Sequence, residues 1–523
     1  MKQTSNTESV TISRAEYEKL LAQAKELETM NQWLLEQLNV LKRKNFGSSS
    51  EKAAKEVYGQ LSLLFDEAEM YEFLESMNEK KRKVCAYERS EKAKNVMDSL
   101  PENLPVEVVQ HEIPEKDRIC PVCGEVMVPI GKESVRTLKI IPAQVVIRED
   151  VYPTYACKKC LPGTEGTEIL KTTHEESCYP GSYATPEAVA YLMTEKFVMG
   201  SPLYRMEQNF ERRGIPFSRQ TMSNWIIYCS EKWLKPIYDV LHRKLLKEDI
   251  IHADETELKV IHEQGKDSAC KAWMWLFQTG RYAKEQMVLY EHAPGRGKNT
   301  PEEFLQGFHG YLQTDGYAGY NGVDATHIGC LAHVKRKFHE AVENLPKNGR
   351  RGAAVKGEAY CEALFEIEKN LVDLAPEERY MQRLKLEKPI LDEFLSWAKN
   401  IAAAPKSKLG MAITYVNNQG PKVANYLLDG RLEISNNRAE RSIKPFVISR
   451  KNFMFANTSR GADSSAITFS LIETAKANHL DPYKYLEYIF REAPKLSKTS
   501  ADWAEKLLPS AAPKECVALN FNE

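Results

Sequence analysis

The sequence predicts a multidomain α+β protein: an N-terminal coiled coil, a small β-rich ribbon, a helical region with a helix-turn-helix-like hairpin, and a mixed α/β domain carrying a helical insertion. Three observations predict it. Leucines recur every seven residues from Leu20 to Leu41. Two Cys-x-x-Cys pairs stand 33 residues apart. From residue 249 the apolar period changes from helical to strand-like and then alternates between the two.

A chain of 523 residues suggests three or four domains at about 150 residues each. Charged residues make up 28% and the net charge is −1, so binding to a polyanion must come from local basic stretches rather than a global field. No apolar run approaches the ~18 residues that span a bilayer. The start, MKQTSNTESV, lacks the apolar core of a signal peptide. With eleven scattered cysteines, this points to a reducing cytoplasmic compartment.

Residues 1–45 hold the heptads: Leu20, Leu27, Leu34 and Leu41 on one seam position, and Tyr17, Ala24, Asn31 and Leu38 on the other. One asparagine in the seam is a device for fixing register and strand number, so the segment is expected to pair with a second copy. An amphipathic helix packed on its own chain fits the same residues. Residues 46–110 read as a basic, helical linker, from LKRKNFGSSSEK to the prolines of LPENLP.

Residues 111–180 contain ICPVCG and YACKKC. Each tight Cys-x-x-Cys turn lets two thiolates reach one ion, so Cys120, Cys123, Cys157 and Cys160 are expected to hold a structural Zn²⁺. The intervening run, TLKIIPAQVVIREDVYPTYA, is rich in β-branched residues, as the strands of a zinc ribbon would be. Cys178 and the others read as small core residues. In 181–245 one helix ends at Gly214, Ile-Pro makes the turn, and Ser218 caps the next. That second helix opens with Arg219, Gln220, Thr221 and Asn224, types suited to base and phosphate contacts. A plain helical hairpin fits the same pattern.

Residues 246–482 begin with IIHADETE, carboxylates directly after a buried-looking strand. DIIHADETELKV, KAWMWLFQTG and EQMVLYEHAPG read as three strands, PEEFLQGF as a short helix, and GYLQTDGYAGYN as a fourth strand ending at Asp315. This is the element order of the ribonuclease-H-like fold, in which the first and fourth strands are neighbours. Asp254 and Asp315 then face each other, which suits a hard divalent cation such as Mg²⁺ or Mn²⁺. Residues 340–430 read as a helical insertion, and 483–523 as a C-terminal tail.

A third acid is expected within residues 432–482, LEISNNRAERSIKPFVISRKNFMFANTSRGADSSAITFSLIETAKANHLDP. Glu440 lies among Arg438, Arg441, Lys444, Arg450 and Lys451, bases suited to a DNA backbone. Glu440 also fits a variant capping box started by Asn437, and Glu433 and Glu473 are rivals. Lys335, Arg336 and Lys337 in AHVKRKF add a basic helix start.

Taken together, LKRKNFGSSSEK, CPVCG…YACKKC, SPLYRMEQNFERRGIPFSRQTMSNW, HADETELKV, LQTDGYAGYN, GCLAHVKRKFHEA and NNRAERSIKPFVISRKNFMFANTSRG resemble, in order, the transposases of the insertion sequence 66 family. The resemblance covers about residues 40–500. It implies a bacterial mobile-element enzyme acting on the double-stranded DNA of terminal inverted repeats and target. Carried over, Asp254, Asp315 and Glu440 would be the metal-binding triad, with His333 and Arg336 beside them against phosphate or the scissile strand; His333 also fits as a buried histidine satisfied by backbone. A homodimer or higher oligomer, and accessory proteins of the same element, are implied partners. One departure is the mixed-charge run YERSEKAKNVMDS after KKRK at 80–83, where the family is more strongly basic. A DNA-binding regulator without activity, and a nuclease that cuts without joining, are the alternative functions. A glycosidase-like pair of Asp254 and Glu257 fits poorly with the ribbon and the basic C-terminal region.

Overall fold

The computed structural model describes residues 144–156, 169–172, 174–263, 270–345 and 352–518. The heptads of 1–45, the linker 46–110 and the four ribbon cysteines lie outside the described residues. The chain divides into two units, residues 77–175 with 518–523, and residues 1–76 with 176–517.

In the smaller unit, strand β1 (Thr154–Ala156) pairs antiparallel with β2 (Ile169–Lys171), Thr154 opposite Lys171. Val145, Val146 and Ile147 were expected in a strand but lie outside any, and Ile147 is 98% exposed. β-branched residues favour a strand only where a neighbour supplies its hydrogen bonds.

The larger unit starts with helices α1 (Pro186–Phe197), α2 (Leu203–Arg212), α3 (Arg219–Cys229) and α4 (Lys235–Leu245), a π turn joining the last two. The expected hairpin is present. Gly214 takes φ +74°, which a side chain would strain, and Ser218 Oγ accepts the Thr221 amide at 3.1 Å as the cap of α3. Phe217 in the turn packs on Phe210 and Trp225 at 5.4 and 4.9 Å between ring centroids, so the two helices share one apolar seam.

Next comes the sheet. β3 (Ile250–His262), β4 (Cys270–Thr279) and β5 (Val288–Ala293) are antiparallel neighbours. Helix α5 (Asn299–Phe304) leads to β6 (Tyr311–Gln313), which pairs parallel with the start of β3, and β7 (Thr326–Ile328) pairs parallel with β6. The strand order is therefore β5-β4-β3-β6-β7, with the first and fourth strands adjacent as the element order implied. Only three residues of β6 pair, because the chain turns at once; Asp315 sits two residues past the last of them rather than on the strand.

Helix α6 (Leu331–Glu343) opens the insertion, followed by α7 (Ala353–Leu371), α8 (Pro376–Leu386), α9 (Lys388–Lys399) and α10 (Lys408–Ala424). These helices bury a core of their own around Phe338, Leu364, Phe394 and Val416, which reaches the sheet through Ile250 and Ile328. The chain returns as α11 (Asn437–Phe453), β8 (Ala456–Thr458), α12 (Ser459–Ala477) and α13 (Pro482–Thr499). The segment 483–517, read above as a tail, is folded. Tyr485, Leu486, Ile489, Phe490 and Ala493 of α13 are fully buried, spaced as one helical face. That period was hidden among the charges of YKYLEYIFREAPK.

Candidate active site

Successive residues of a strand point to opposite faces, so His252, Asp254 and Thr256 of β3 share a face. Helix α11 and the residue before it lie along that face. Asn436 Oδ1 meets His252 Nδ1 at 3.2 Å, Asn436 Nδ2 donates to the Ala253 carbonyl at 2.9 Å, and Arg450 donates to Thr256 Oγ1 at 3.0 Å. On the edge of β3 away from β4, β6 pairs up to His252 and β8 pairs from Val260. Among the described residues, the stretch between them has no strand partner on that edge. Asp254 lies at this break in the sheet.

Asp254, half-buried in that break, accepts its neighbour's amide (Glu255) at 2.8 Å. Burial pushes its carboxyl well above the usual range, and the charges of Glu255, Asp315 and Glu440 push it further. Asp315 comes from the turn after β6, where its Oδ1 accepts the Tyr317 amide at 2.8 Å. That turn is braced by the insertion: Tyr415 of α10 donates to the Asp315 carbonyl at 2.6 Å and Gln419 to the Gly316 carbonyl at 3.3 Å. Gly316 has φ +96°, and a Cβ there would meet Gln419 at 3.0 Å.

Glu440, in the first turn of α11, stands opposite α6. His333 Nδ1 lies 3.6 Å from Glu440 Oε1, Arg336 Nη2 3.8 Å from Oε2, and His333 Nε2 3.2 Å from Arg336 Nη1. The H-x-x-R pair thus stands against Glu440. The capping-box alternative is not what forms: the cap residue is Asn436, whose side chain is engaged by His252 and Ala253, and no side-chain cap bond is made. Glu433 acts electrostatically on His252 and Arg438 instead of on Asp254. Glu473 is paired with Lys476 at 2.8 Å on α12.

The residues expected at DNA divide. Arg441, Lys451, Arg219, Gln220 and Asn224 are exposed; Gln220 bonds Asn224 at 2.9 Å and Arg219 stands 3.7 Å from Glu207. Lys444 is half-buried, and Lys335 and Lys337 stand 3.8 and 3.9 Å from Glu362 and Glu340. Arg438 differs from the expectation of a DNA contact. Its guanidinium donates to the Thr279 carbonyl at 3.1 Å and to Gln286, and it ties α11 to the end of β4. Arg450 likewise reaches Thr256 within the chain.

Sequence reasoning missed the other face of β3. Glu255, its side chain 1% exposed, accepts from Arg296 at 2.9 Å and from the Tyr320 hydroxyl. Arg296 lies over the rings of Tyr317 and Trp273 at 3.8 and 4.7 Å. Strand alternation places Glu255 opposite Asp254; its partner, forty-one residues away, left no local signal. Cys330, which caps α6, was read only as core. It is 1% exposed, and burial pushes its thiol up to about 12.

Asp254, Asp315 and Glu440 come from a strand, a turn and a helix, and the last two act electrostatically on the first; among the described residues the group of three whose donor atoms all lie within 4.8 Å of one another is Cys330, His333 and Glu440. Carboxylate oxygens are the donors that suit hard divalent cations. The comparisons agree in class. The model of the transposase IS66 family matches residues 181–464, its zinc-finger binding domain 117–160, and its C-terminal element 470–510. The chain belongs to the IS66 transposase family. A further model, described as transposase C of IS166 homeodomain, matches 33–109, taking in the stretch read above as a linker. Three proteins of Sinorhizobium fredii are similar, all uncharacterized. Protein y4hP is 28% identical over 71% of this chain and 70% of its own length, y4jD 28% over 80% and 83%, and y4qI 28% over 86% and 83%. Among the described residues no helix is long and apolar enough to cross a membrane.

Proposed function

We propose that this chain is an active DNA transposase whose ribonuclease-H-like domain, about residues 246–482, cuts DNA at the ends of its element and joins them to a target. The observation that carries the reading is the crowding of Asp254. Burial, then Glu255, and then two carboxylates from a turn and a helix distant in sequence, Asp315 and Glu440, push its carboxyl well above the usual range. Such a cluster opposes itself until a cation joins it, and oxygen donors of this kind fit Mg²⁺ or Mn²⁺. Asp254, Asp315 and Glu440 would hold the ions, which when bound polarise phosphoryl oxygen and lower the pKa of water.

The chain's own groups do the rest. Water attacks the phosphorus at the element end, its proton passes to solvent, and the bond to the 3′ oxygen breaks. That 3′-hydroxyl, its proton passing to solvent, then attacks a phosphodiester of the target; the target's own P–O3′ bond breaks and its 3′ oxygen leaves as a hydroxyl, taking a proton from solvent. Arg336 keeps Glu440 oriented and stands beside the phosphate path, while His333 fixes the other carboxylate oxygen. Arg441, Lys444 and Lys451 would meet the DNA backbone, and Arg219, Gln220 and Asn224 of α3 the base edges of the terminal repeats. Cys120, Cys123, Cys157 and Cys160 would hold structural Zn²⁺ in the finger, 1–45 would pair two subunits on two ends, and 33–109 adds a second DNA-binding module.

Incubation of labelled element-end DNA with the protein and Mn²⁺ is expected to give shorter, cut products and longer, joined ones. DNA that is bound but left intact would favour the regulator. Binding should weaken steeply with salt, since each neutralised phosphate releases counterions. Tyr415→Phe removes the bond that braces the Asp315 turn, about 1 kcal/mol, and is expected to slow single-turnover cleavage roughly 5- to 10-fold. An unchanged rate would show that α10 does not position Asp315.

A further inference from the structure

Beside the three acids lies a second donor set of different chemistry. Cys330 caps α6, and its sulfur takes the Asn436 amide at 3.1 Å. The amides of Ala332 and His333 also lie against that sulfur. These amides, two at the start of α6 and one before α11, favour negative charge on the sulfur, but burial outweighs them and holds the thiol up to about 12, so a bound ion must displace the proton. One turn along, His333 Nδ1 stands 3.6 Å from Glu440 Oε1. One donor atom from each of Cys330, His333 and Glu440 falls within 4.8 Å of the others. Zinc bonds of about 2.0–2.3 Å in a tetrahedron separate ligand atoms by roughly 3.3–3.8 Å. A small side-chain shift therefore closes the set. Sulfur with imidazole suits zinc and its chemical relatives and suits Mg²⁺ poorly.

We propose that a thiophilic divalent ion, Zn²⁺ in the first place, binds at Cys330, His333 and Glu440, and that it withdraws Glu440 from Asp254 and Asp315. On binding, the Cys330 proton leaves to solvent and water fills the fourth position. Coordination through Nδ1 requires the tautomer with hydrogen on Nε2, so Arg336 gives up its contact with Nε2 and keeps the one with Glu440 Oε2. Glu440 then belongs either to a hard ion with Asp254 or to a soft one with Cys330. The binding rests on these three residues alone; the resulting loss of activity rests on the proposed triad.

Co²⁺ is the probe, because a thiolate bond to it gives a near-ultraviolet charge-transfer band that oxygen ligands do not. Full-length protein is titrated in excess Mg²⁺, alongside Cys330→Ser and His333→Gln, which both retain the finger cysteines. The wild type is expected to bind one more Co²⁺ per chain than either variant. Outer-shell changes already cost roughly 10- to 100-fold in affinity, so loss of a direct ligand should cost roughly 100-fold or more. Zn²⁺ should then inhibit Mg²⁺-dependent cleavage in the wild type and spare Cys330→Ser. Equal stoichiometry and band intensity in all three proteins would overturn the proposal. Should Cys330→Ser melt early, half-buried His333→Gln carries the comparison. Should the band differ as expected while no protein cuts DNA, the site stands and the transposase activity falls.

Discussion

Asp254→Asn is expected to raise the melting temperature of the metal-free chain while abolishing divalent-dependent cleavage. Both effects follow from the same carboxyl. Its pKa is raised in the fold by burial and by Glu255, Asp315 and Glu440, so the folded state binds its proton more tightly than the unfolded chain does. The associated stability is fully present below the ordinary aspartate pKa, about 3.9. It is lost as pH rises through the raised value. At neutral pH the wild type therefore carries a cost that asparagine removes and that a bound cation would offset. Melting curves in chelator, from mildly acidic to mildly alkaline pH, should slope downward for the wild type and less steeply for Asp254→Asn. Added Mn²⁺ should stabilise only the wild type. For cleavage, losing a ligand that positions the ion is worth about 4 kcal/mol of transition-state stabilisation, roughly 1000-fold in rate. A variant that is no more stable in chelator, or that still cuts DNA at near wild-type rate, would contradict this.

The second large effect is structural. Arg383 is fully buried in the insertion, where it donates to both oxygens of Glu368 at 2.9 and 2.6 Å and to the carbonyls of Leu432, Tyr426 and Asp429 at 2.9–3.3 Å. Arg379 shares Glu368, and Tyr426 bonds Glu387 at 2.8 Å. Arg383→Met leaves Glu368 to Arg379 alone and takes the donor from three carbonyls, and is expected to cost about 3–5 kcal/mol, read as a shift in urea midpoint. Arg383→Met combined with Glu368→Gln should cost less than Arg383→Met alone. The carbonyls that Arg383 holds lie on the segment leading to α11, so Glu440 should also lose its place. Burial and the neighbouring Glu368 push Glu387 up to about 8. By the same sign rule the insertion should lose stability as pH rises through that value, and Glu387→Gln should flatten the loss. A change within about 0.5 kcal/mol for Arg383→Met would show that the network is not holding the insertion.

Much of the site was legible because it follows local rules. Asp254 stands out as an acid after a buried run, and Ser218 announces a helix by its place before Arg219. The adjacency of β3 and β6 follows from element order. What stayed hidden depends on distance in space. Nothing near Glu255 names Arg296 as its partner, and nothing near Arg438 says that its guanidinium belongs to the Thr279 carbonyl rather than to a phosphate. Tyr415 sits in a helix whose sequence shows only an amphipathic pattern, yet it reaches the Asp315 turn a hundred residues upstream. Cys330 looked like core because it is core. Only the meeting of α6 with α11 puts His333 and Glu440 beside its sulfur.

The most direct test of the central claim is a calorimetric titration of Mn²⁺ into the full-length protein with element-end DNA present, run beside Asp254→Asn, Asp315→Asn and Glu440→Gln. The account predicts that each variant still binds DNA and that each loses both Mn²⁺ binding and cleavage. A Glu440→Gln protein that binds Mn²⁺ and cuts like the wild type would contradict it and move the third acid elsewhere, with Glu433 next to test.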